Sequence, residues 1–81
     1  MSKFKDWWTK TGASALNERL ININYQDLDY MVLDNLLRDD ELDEIGQSGL
    51  SELAETLVSD GARVTIVTYS DGSEEYRFFF S

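Results

Sequence analysis

The stretch that organises this chain is residues 27–60, DLDYMVLDNLLRDDELDEIGQSGLSELAETLVSD. It contains eleven acidic residues and a single base, Arg38. The flanks are close to balanced, with four bases and two acids in residues 1–26 and two bases and three acids in residues 61–81. Almost all of the formal net charge of −9 therefore comes from the middle of the chain.

The same stretch carries the strongest helical pattern in the sequence. Apolar residues recur at i, i+3, i+4, i+7 and i+8 from Leu50 to Val58, and Gly61 follows as a stop signal. A second apolar stripe (Tyr25, Leu28, Val32 and Leu36) predicts a helix over residues 25–38. Between them, residues 39–46 predict a short helix or a helical turn that ends at Gly46.

The flanking segments complete an α+β pattern. Residues 2–19 have helical spacing, and Gly12 weakens their middle enough to allow two separate pieces. Residues 20–24 alternate as a short strand does, and residues 62–69 and 74–80 form a hairpin around Asp71 and Gly72. We predict a small antiparallel sheet of two to three strands, packed against three to four helices in one domain, 1–81.

Composition excludes several classes of function. The chain has no cysteine and no histidine, which removes thiol chemistry, the commonest general base and the commonest transition-metal ligand. No apolar segment resembles a signal peptide or a membrane span, so we expect a cytoplasmic protein that binds no membrane. The alternating acids Asp39, Glu41 and Asp43 lack the glycine and the final glutamate of a calcium loop. We predict a protein without catalytic residues, cofactor or metal.

The adjacent tryptophans allow two interpretations. Trp7 and Trp8 lie about 100° apart on a helix, so they do not share one narrow buried stripe. In the first interpretation both rings close a small core, and in the second one ring is an exposed anchor for a partner.

The acidic stretch also has two interpretations. It is either a solvated face that favours solubility or a docking surface for a basic protein. Direct binding of nucleic acid is disfavoured, because a net charge of −9 repels phosphates. If residues 27–44 formed one helix, their charges would be spaced at about 4 Å along its axis, close to the roughly 3.4 Å of a single DNA strand.

In size, charge and the segment DLDYMVLDNLLRDDELDE, the chain resembles small acidic inhibitors encoded by phages, the anti-CRISPR proteins and other DNA mimics. The resemblance implies a non-catalytic inhibitor that blocks the nucleic-acid-binding surface of a host defence complex such as a CRISPR effector. It implies a partner-binding set of seven acids and two aromatic anchors: Asp27, Asp34, Asp39, Asp40, Glu41, Asp43, Glu44, Trp7 and Tyr30.

The alternative is an interaction protein of another kind, such as an immunity protein, an antitoxin or an accessory subunit. It would dock through exposed aromatics of the hairpin or of the helix that carries Trp7 and Trp8. The chain would be a monomer, or a homodimer if residues 74–80 formed an exposed edge strand.

Overall fold

The computed structural model describes residues 2–23 and 28–80. Helix α1 covers residues 3–22, and helix α2 covers Asp39–Ser59. The strands are β1 (Tyr30–Val32), β2 (Arg63–Thr68) and β3 (Glu74–Phe79), and a 3-10 helix (Leu33–Leu36) follows β1. The sheet is antiparallel with the order β1-β3-β2, so β3 is the central strand. α2 packs on β2 and also against α1.

The α+β class is confirmed, but the prediction of three to four helices is wrong, because two long helices replace them. α1 continues through Gly12 by way of one π-helical turn, Trp8–Gly12. A Cβ atom on Gly12 would lie 2.6 Å from a ring carbon of Trp7. Gly12 therefore does not end α1; its missing side chain leaves the space that the Trp7 indole occupies.

α2 is kinked at Gly46, where the sequence predicted a helix to end. Gly46 has φ +69° and ψ −175°, which bends the chain, and helical structure resumes directly after it. Without a Cβ atom, glycine takes this backbone conformation at little cost. The predicted stripe Leu50, Leu53, Ala54 and Leu57 is buried as expected, whereas Val58 is 52% exposed.

The predicted strand at residues 20–24 is also wrong. Residues 20–22 belong to α1, Ile23 is extended, and Asn24 lies outside the described residues. Leu20 and Ile23 pack against the same core as the buried Leu16. Tertiary packing of this apolar face thus outweighs the local alternation, which favoured a strand.

The third strand comes instead from the predicted helix 25–38, of which residues 25–27 are outside the described part. β1 pairs with β3, and Met31 is opposite Phe78. The 3-10 helix then buries Leu33 and Leu36, which lie on one side because side chains three residues apart eclipse in that geometry. Of the leucines in the predicted helical stripe, Leu36 is buried, although in a 3-10 helix, whereas Leu28 is 41% exposed.

The predicted C-terminal hairpin is present, with Val64 opposite Phe78 and Thr65 opposite Arg77. Side chains alternate across the sheet, so Met31, Val64 and Phe78 face the helices while Tyr30, Arg63 and Phe79 share the outer face. The expectation that residues 74–80 form a free edge is wrong, because β3 is paired on both sides.

Candidate partner-binding surface

Five exposed carboxylates gather where α2 begins. Four of them are on its first two turns, and the fifth, Asp6, is on α1. Asp6, Asp40 and Glu44 line one shallow cavity of about 220 Å³ between the two helices, together with Lys10 and Arg38. We call this set the acidic surface; it comprises Asp6, Asp39, Asp40, Asp43 and Glu44.

The spacing within α2 brings like charges close together. Asp39 and Asp43 are four residues apart, as are Asp40 and Glu44, so each pair occupies one side of the helix with about 5–6 Å between Cβ atoms. Such pairs repel and cost the isolated helix a few tenths of a kcal/mol each. The helix dipole offsets part of this cost for Asp39 and Asp40, which lie in the first turn.

Glu41 fixes the start of α2 and is not part of the acidic surface. Its side chain is only 4% exposed and accepts hydrogen bonds from Nη1 and Nη2 of Arg19, at 2.8 and 3.0 Å. The backbone N–H of Arg38 also donates to Glu41 Oε1, at 2.7 Å. Arg19 additionally donates to the carbonyl of Leu36, at 2.8 Å. The Arg19–Glu41 pair therefore connects α1, the 3-10 helix and α2.

The titration of this pair follows from its geometry. The hydrogen bonds from Arg19 hold the pKa of Glu41 below its ordinary value, against the opposing effect of burial. The same hydrogen bonds raise the pKa of Arg19. The pair is thus charged at neutral pH, and Glu41 is unavailable to a partner, which corrects its inclusion in the predicted set.

The other predicted residues are distributed differently from the expectation. Asp34 is exposed on the 3-10 helix before α2, and Asp27 lies outside the described residues. Trp7 is 4% exposed and packs against Phe4 at 6.0 Å between ring centroids, so its role as an exposed anchor is contradicted. Trp8 is partly buried and stacks on Phe4. Both tryptophans help to close the core.

Tyr30 is exposed, but it is on the outer face of the sheet, away from α2. Its ring lies 5.5 Å from that of Phe79, and the guanidinium of Arg77 lies 4.6 Å from its centroid. Arg63 lies 5.8 Å from the Phe79 ring on the same face. Arg77 also pairs with Glu75, whose pKa is lowered by that contact. The structure therefore separates Tyr30 from the acids with which it was expected to act.

Asp6 is the member of the acidic surface that sequence reasoning missed. It is a single acid in a stretch of the chain rich in lysine, so nothing in its neighbourhood indicated a role. Asp6 joins the acidic surface only because α1 packs against α2. That packing brings Asp6, the residue before the buried Trp7, to the same cavity as Asp40 and Glu44.

The charge spacing estimated for a helix over residues 27–44 does not apply, since residues 30–36 form a strand and a 3-10 helix. On α2 itself, the four exposed acids at positions 39, 40, 43 and 44 span about 8 Å at a rise of about 1.5 Å per residue. The average spacing is about 2.5 Å, between the roughly 1.7 Å of duplex DNA and the roughly 3.4 Å of a single strand.

Across residues 2–23 and 28–80, no helix combines the length and the apolar character needed to cross a membrane. Within the same ranges, no three acidic side chains converge in a way that could hold a metal ion. The carboxylates of the acidic surface are spread along α2 and do not converge on one point.

No family model, curated protein or solved structure matches this chain. The class of protein is therefore defined by its fold and surface alone. It is a small two-layer α+β domain that presents a cluster of carboxylates at the start of a helix.

Proposed function

We propose that this protein is a non-catalytic inhibitor that binds another protein through the acidic surface. Its target would be a basic surface that normally holds nucleic acid, in a host defence complex such as a CRISPR effector. The observation that carries the proposal is the concentration of exposed carboxylates on one helix end, with Asp6 added from α1. The choice of a defence complex rests on the resemblance to anti-CRISPR proteins.

Preorganisation supports this proposal. A docking surface binds more tightly when its groups are held in place before association, because less conformational entropy is lost. The bidentate contact between Arg19 and Glu41 anchors the first turn of α2, on which Asp39 and Asp40 are carried. The carboxylates are thus presented on a rigid element rather than on a loop.

The energetic cost of the cluster supports it as well. Neither Asp43 nor Glu44 contributes to the core, and both are outside the first turn that the dipole favours. Each adds a repulsive neighbour four residues away. Neither core packing nor the helix dipole accounts for acids at these positions, and a binding role would account for them.

The proposal is tested by capture from a lysate of candidate host cells that has been treated with nuclease. We expect the immobilised protein to retain a nucleic-acid-binding complex at low salt and to release it at high salt, since screening weakens contacts between exposed charges. Duplex DNA or the complex's own guide RNA should displace the protein. A partner that is retained at high salt and is not displaced by nucleic acid would contradict the proposal.

A second candidate function uses the outer face of the sheet. The exposed Tyr30 and the partly buried Phe79 are flanked there by Arg63 and Arg77, which resembles the aromatic and arginine composition of protein interfaces. In that case the protein would be an interaction module such as an antitoxin or an accessory subunit. Its binding would be insensitive to salt and would be lost on Tyr30→Ala, while neutralisation of Asp39 and Asp43 would leave it unchanged.

A further inference from the structure

β2 is an edge strand whose outer side is open. Tyr69 donates its backbone N–H to Ser73 across the hairpin, at 2.9 Å. Because backbone groups alternate in direction along a strand, residues 63, 65 and 67 also point their N–H and C=O groups toward β3. Those of Val64, Ile66 and Thr68 point away from the sheet. Among the described residues, none pairs with this side of β2.

This edge lacks the features that usually prevent edge pairing. Proteins protect such strands with short length, proline, bulges or inward-facing charges. β2 has six residues, and its inward-facing positions, Val64, Ile66 and Thr68, are uncharged. By contrast, β1, the other edge strand, has only three residues.

An apolar groove runs beside the same edge. It has a volume of about 450 Å³ and is formed by the C-terminal half of α2 and the inner face of β2. Its lining is mostly apolar by area and also includes Ser51, Glu55 and Ser59. Two of its apolar side chains are unusually exposed, Val58 at 52% and Ile66 at 54%. Open hydrogen-bonding groups and exposed apolar side chains therefore occur together.

We propose that β2 pairs with β2 of a second copy, antiparallel and centred on Ile66, to give a homodimer with one continuous six-stranded sheet. In this register the outward backbone groups of Ile66 bond to those of its counterpart, and Val64 faces Thr68 of the second copy. The two exposed Ile66 side chains meet on the helix side of the sheet, next to the Val58 side chains.

Charge complementarity favours a second copy and this register. Residues 61–70 contain no acid, although the chain has sixteen, so two copies of net charge −9 can approach along this strand. With Ile66 at the centre, Arg63 is opposite Tyr69 of the second copy, at the start of the turn that carries Asp71. With Thr65 at the centre, Arg63 is opposite Val67 of the second copy and further from that turn.

The inference is independent of the acidic surface and of the function proposed for it. Four acids of the acidic surface are on the first two turns of α2 and Asp6 is on α1, whereas the groove beside β2 is lined by the part of α2 that follows the kink at Gly46. The cavity at the acidic surface and this groove share no lining residue. The dimer would therefore leave both acidic surfaces accessible.

The first test is sedimentation equilibrium of the native chain from about 5 μM to about 500 μM, a range that suits a small interface. We expect a reversible monomer–dimer equilibrium that Ile66→Lys abolishes, because it buries a charge in the interface. The matched control is Ile21→Lys, the same change at an isoleucine that is 73% exposed on α1. A native chain that remains monomeric throughout, or an Ile66→Lys variant that dimerises like the control, would overturn the proposal.

Disulfide cross-linking tests the register without a disruptive charge. The chain has no cysteine, so each introduced thiol is the only one present. A hydrogen-bonded antiparallel pair has Cα atoms about 5.5 Å apart, within the range that a disulfide spans. We expect Ile66→Cys to cross-link rapidly under mild oxidation and Ile21→Cys to do so slowly. Equal rates for the two variants would rule out pairing centred on Ile66.

Discussion

At the residue scale, one buried carboxylate does different work from its exposed neighbours. Glu41 lies in a run of acids, yet it is the one that accepts three hydrogen bonds from Arg19 and Arg38. Removing one partner of a buried ion pair leaves the other charge uncompensated, which is far more costly than loss of an exposed pair. The acids of this stretch therefore divide into one structural residue and several surface residues.

We predict that Glu41→Gln lowers the free energy of unfolding by about 3 kcal/mol. This is the lower end of the range for buried pairs, because the Arg19 side chain keeps 28% of its surface exposed. Asp40→Asn is the control, since it removes only the exposed contact with Arg38, and it should cost less than about 1 kcal/mol. Urea unfolding of the three proteins measures both values, and equal losses would contradict the structural role of Glu41.

The pH dependence of stability has a defined sign. The folded-state pKa of Glu41 is below its ordinary value of 4.5, so its contribution is present above pH 4.5 and is lost as the pH falls through the folded pKa. We expect the difference in unfolding free energy between the native chain and Glu41→Gln to be constant near neutrality and to shrink below pH 4.5. A difference that stays constant in acid would show that the ion pair is not its cause.

Gly12 is the second residue with a specific structural demand. We predict that Gly12→Ala destabilises the fold by about 1–3 kcal/mol, although alanine favours helices, because the new Cβ would collide with the Trp7 indole. In a Trp7→Phe background the smaller ring should relieve the collision, so the double variant should lose less than the sum of the single changes. Additive losses in thermal unfolding would argue against this contact.

Sequence reasoning could not separate these residues from their neighbours. Glu41 lies among Asp39, Asp40 and Asp43. It is distinguished by its hydrogen bond from the Arg38 backbone N–H and by its ion pair with Arg19, twenty-two residues earlier. Trp7 and Trp8 are adjacent, so periodicity left open which one is buried. Contacts between residues distant in sequence decide both cases.

At the scale of elements, repulsion between the exposed acids of α2 lowers the stability of that helix. Neutralising Asp43 and Glu44 removes both repulsive pairs without touching the first turn, where the dipole favours acids. We predict that Asp43→Asn combined with Glu44→Gln raises the free energy of unfolding by about 0.4–1 kcal/mol at low salt. Because salt screens exposed charges, the gain should largely disappear near 1 M NaCl. A loss of stability would mean that these acids serve the fold.

The sequence predicted helices and turns correctly where neighbouring residues determine them. The stripe Leu50, Leu53, Ala54 and Leu57 and the turn around Gly72 are determined by nearby residues, and both are present. β1 was not foreseen, because its three residues are extended only through pairing with β3, almost fifty residues later. The continuity of α1 through Gly12 depends in the same way on packing rather than on propensity.

At the scale of the whole molecule, the fold separates three surfaces. The acidic surface is at the start of α2, the aromatic and arginine-bearing face is on the outside of the sheet, and β2 forms an open edge. The sequence predicted the location of the charge correctly, but its arrangement depends on α1, which adds Asp6, and on the burial of Glu41. Tyr30 and Trp7 are not part of this surface, because Tyr30 lies on the outer face of the sheet and Trp7 is buried.

The central claim is that the position of these charges matters, and not only their number. The most direct measurement compares the association rates of two triple variants with the captured complex at low salt. One variant reverses Asp39, Asp40 and Asp43 to lysine, and the control reverses the exposed Asp29, Asp60 and Glu74; each changes the net charge from −9 to −3. Thermal unfolding of both variants verifies that they fold.

We expect the first variant to associate at least about tenfold more slowly than the native chain and the control to stay within about threefold of it, because steering depends on local complementarity. Equal rates for the two variants would contradict the account and leave the acidic surface as a solvated face of the domain.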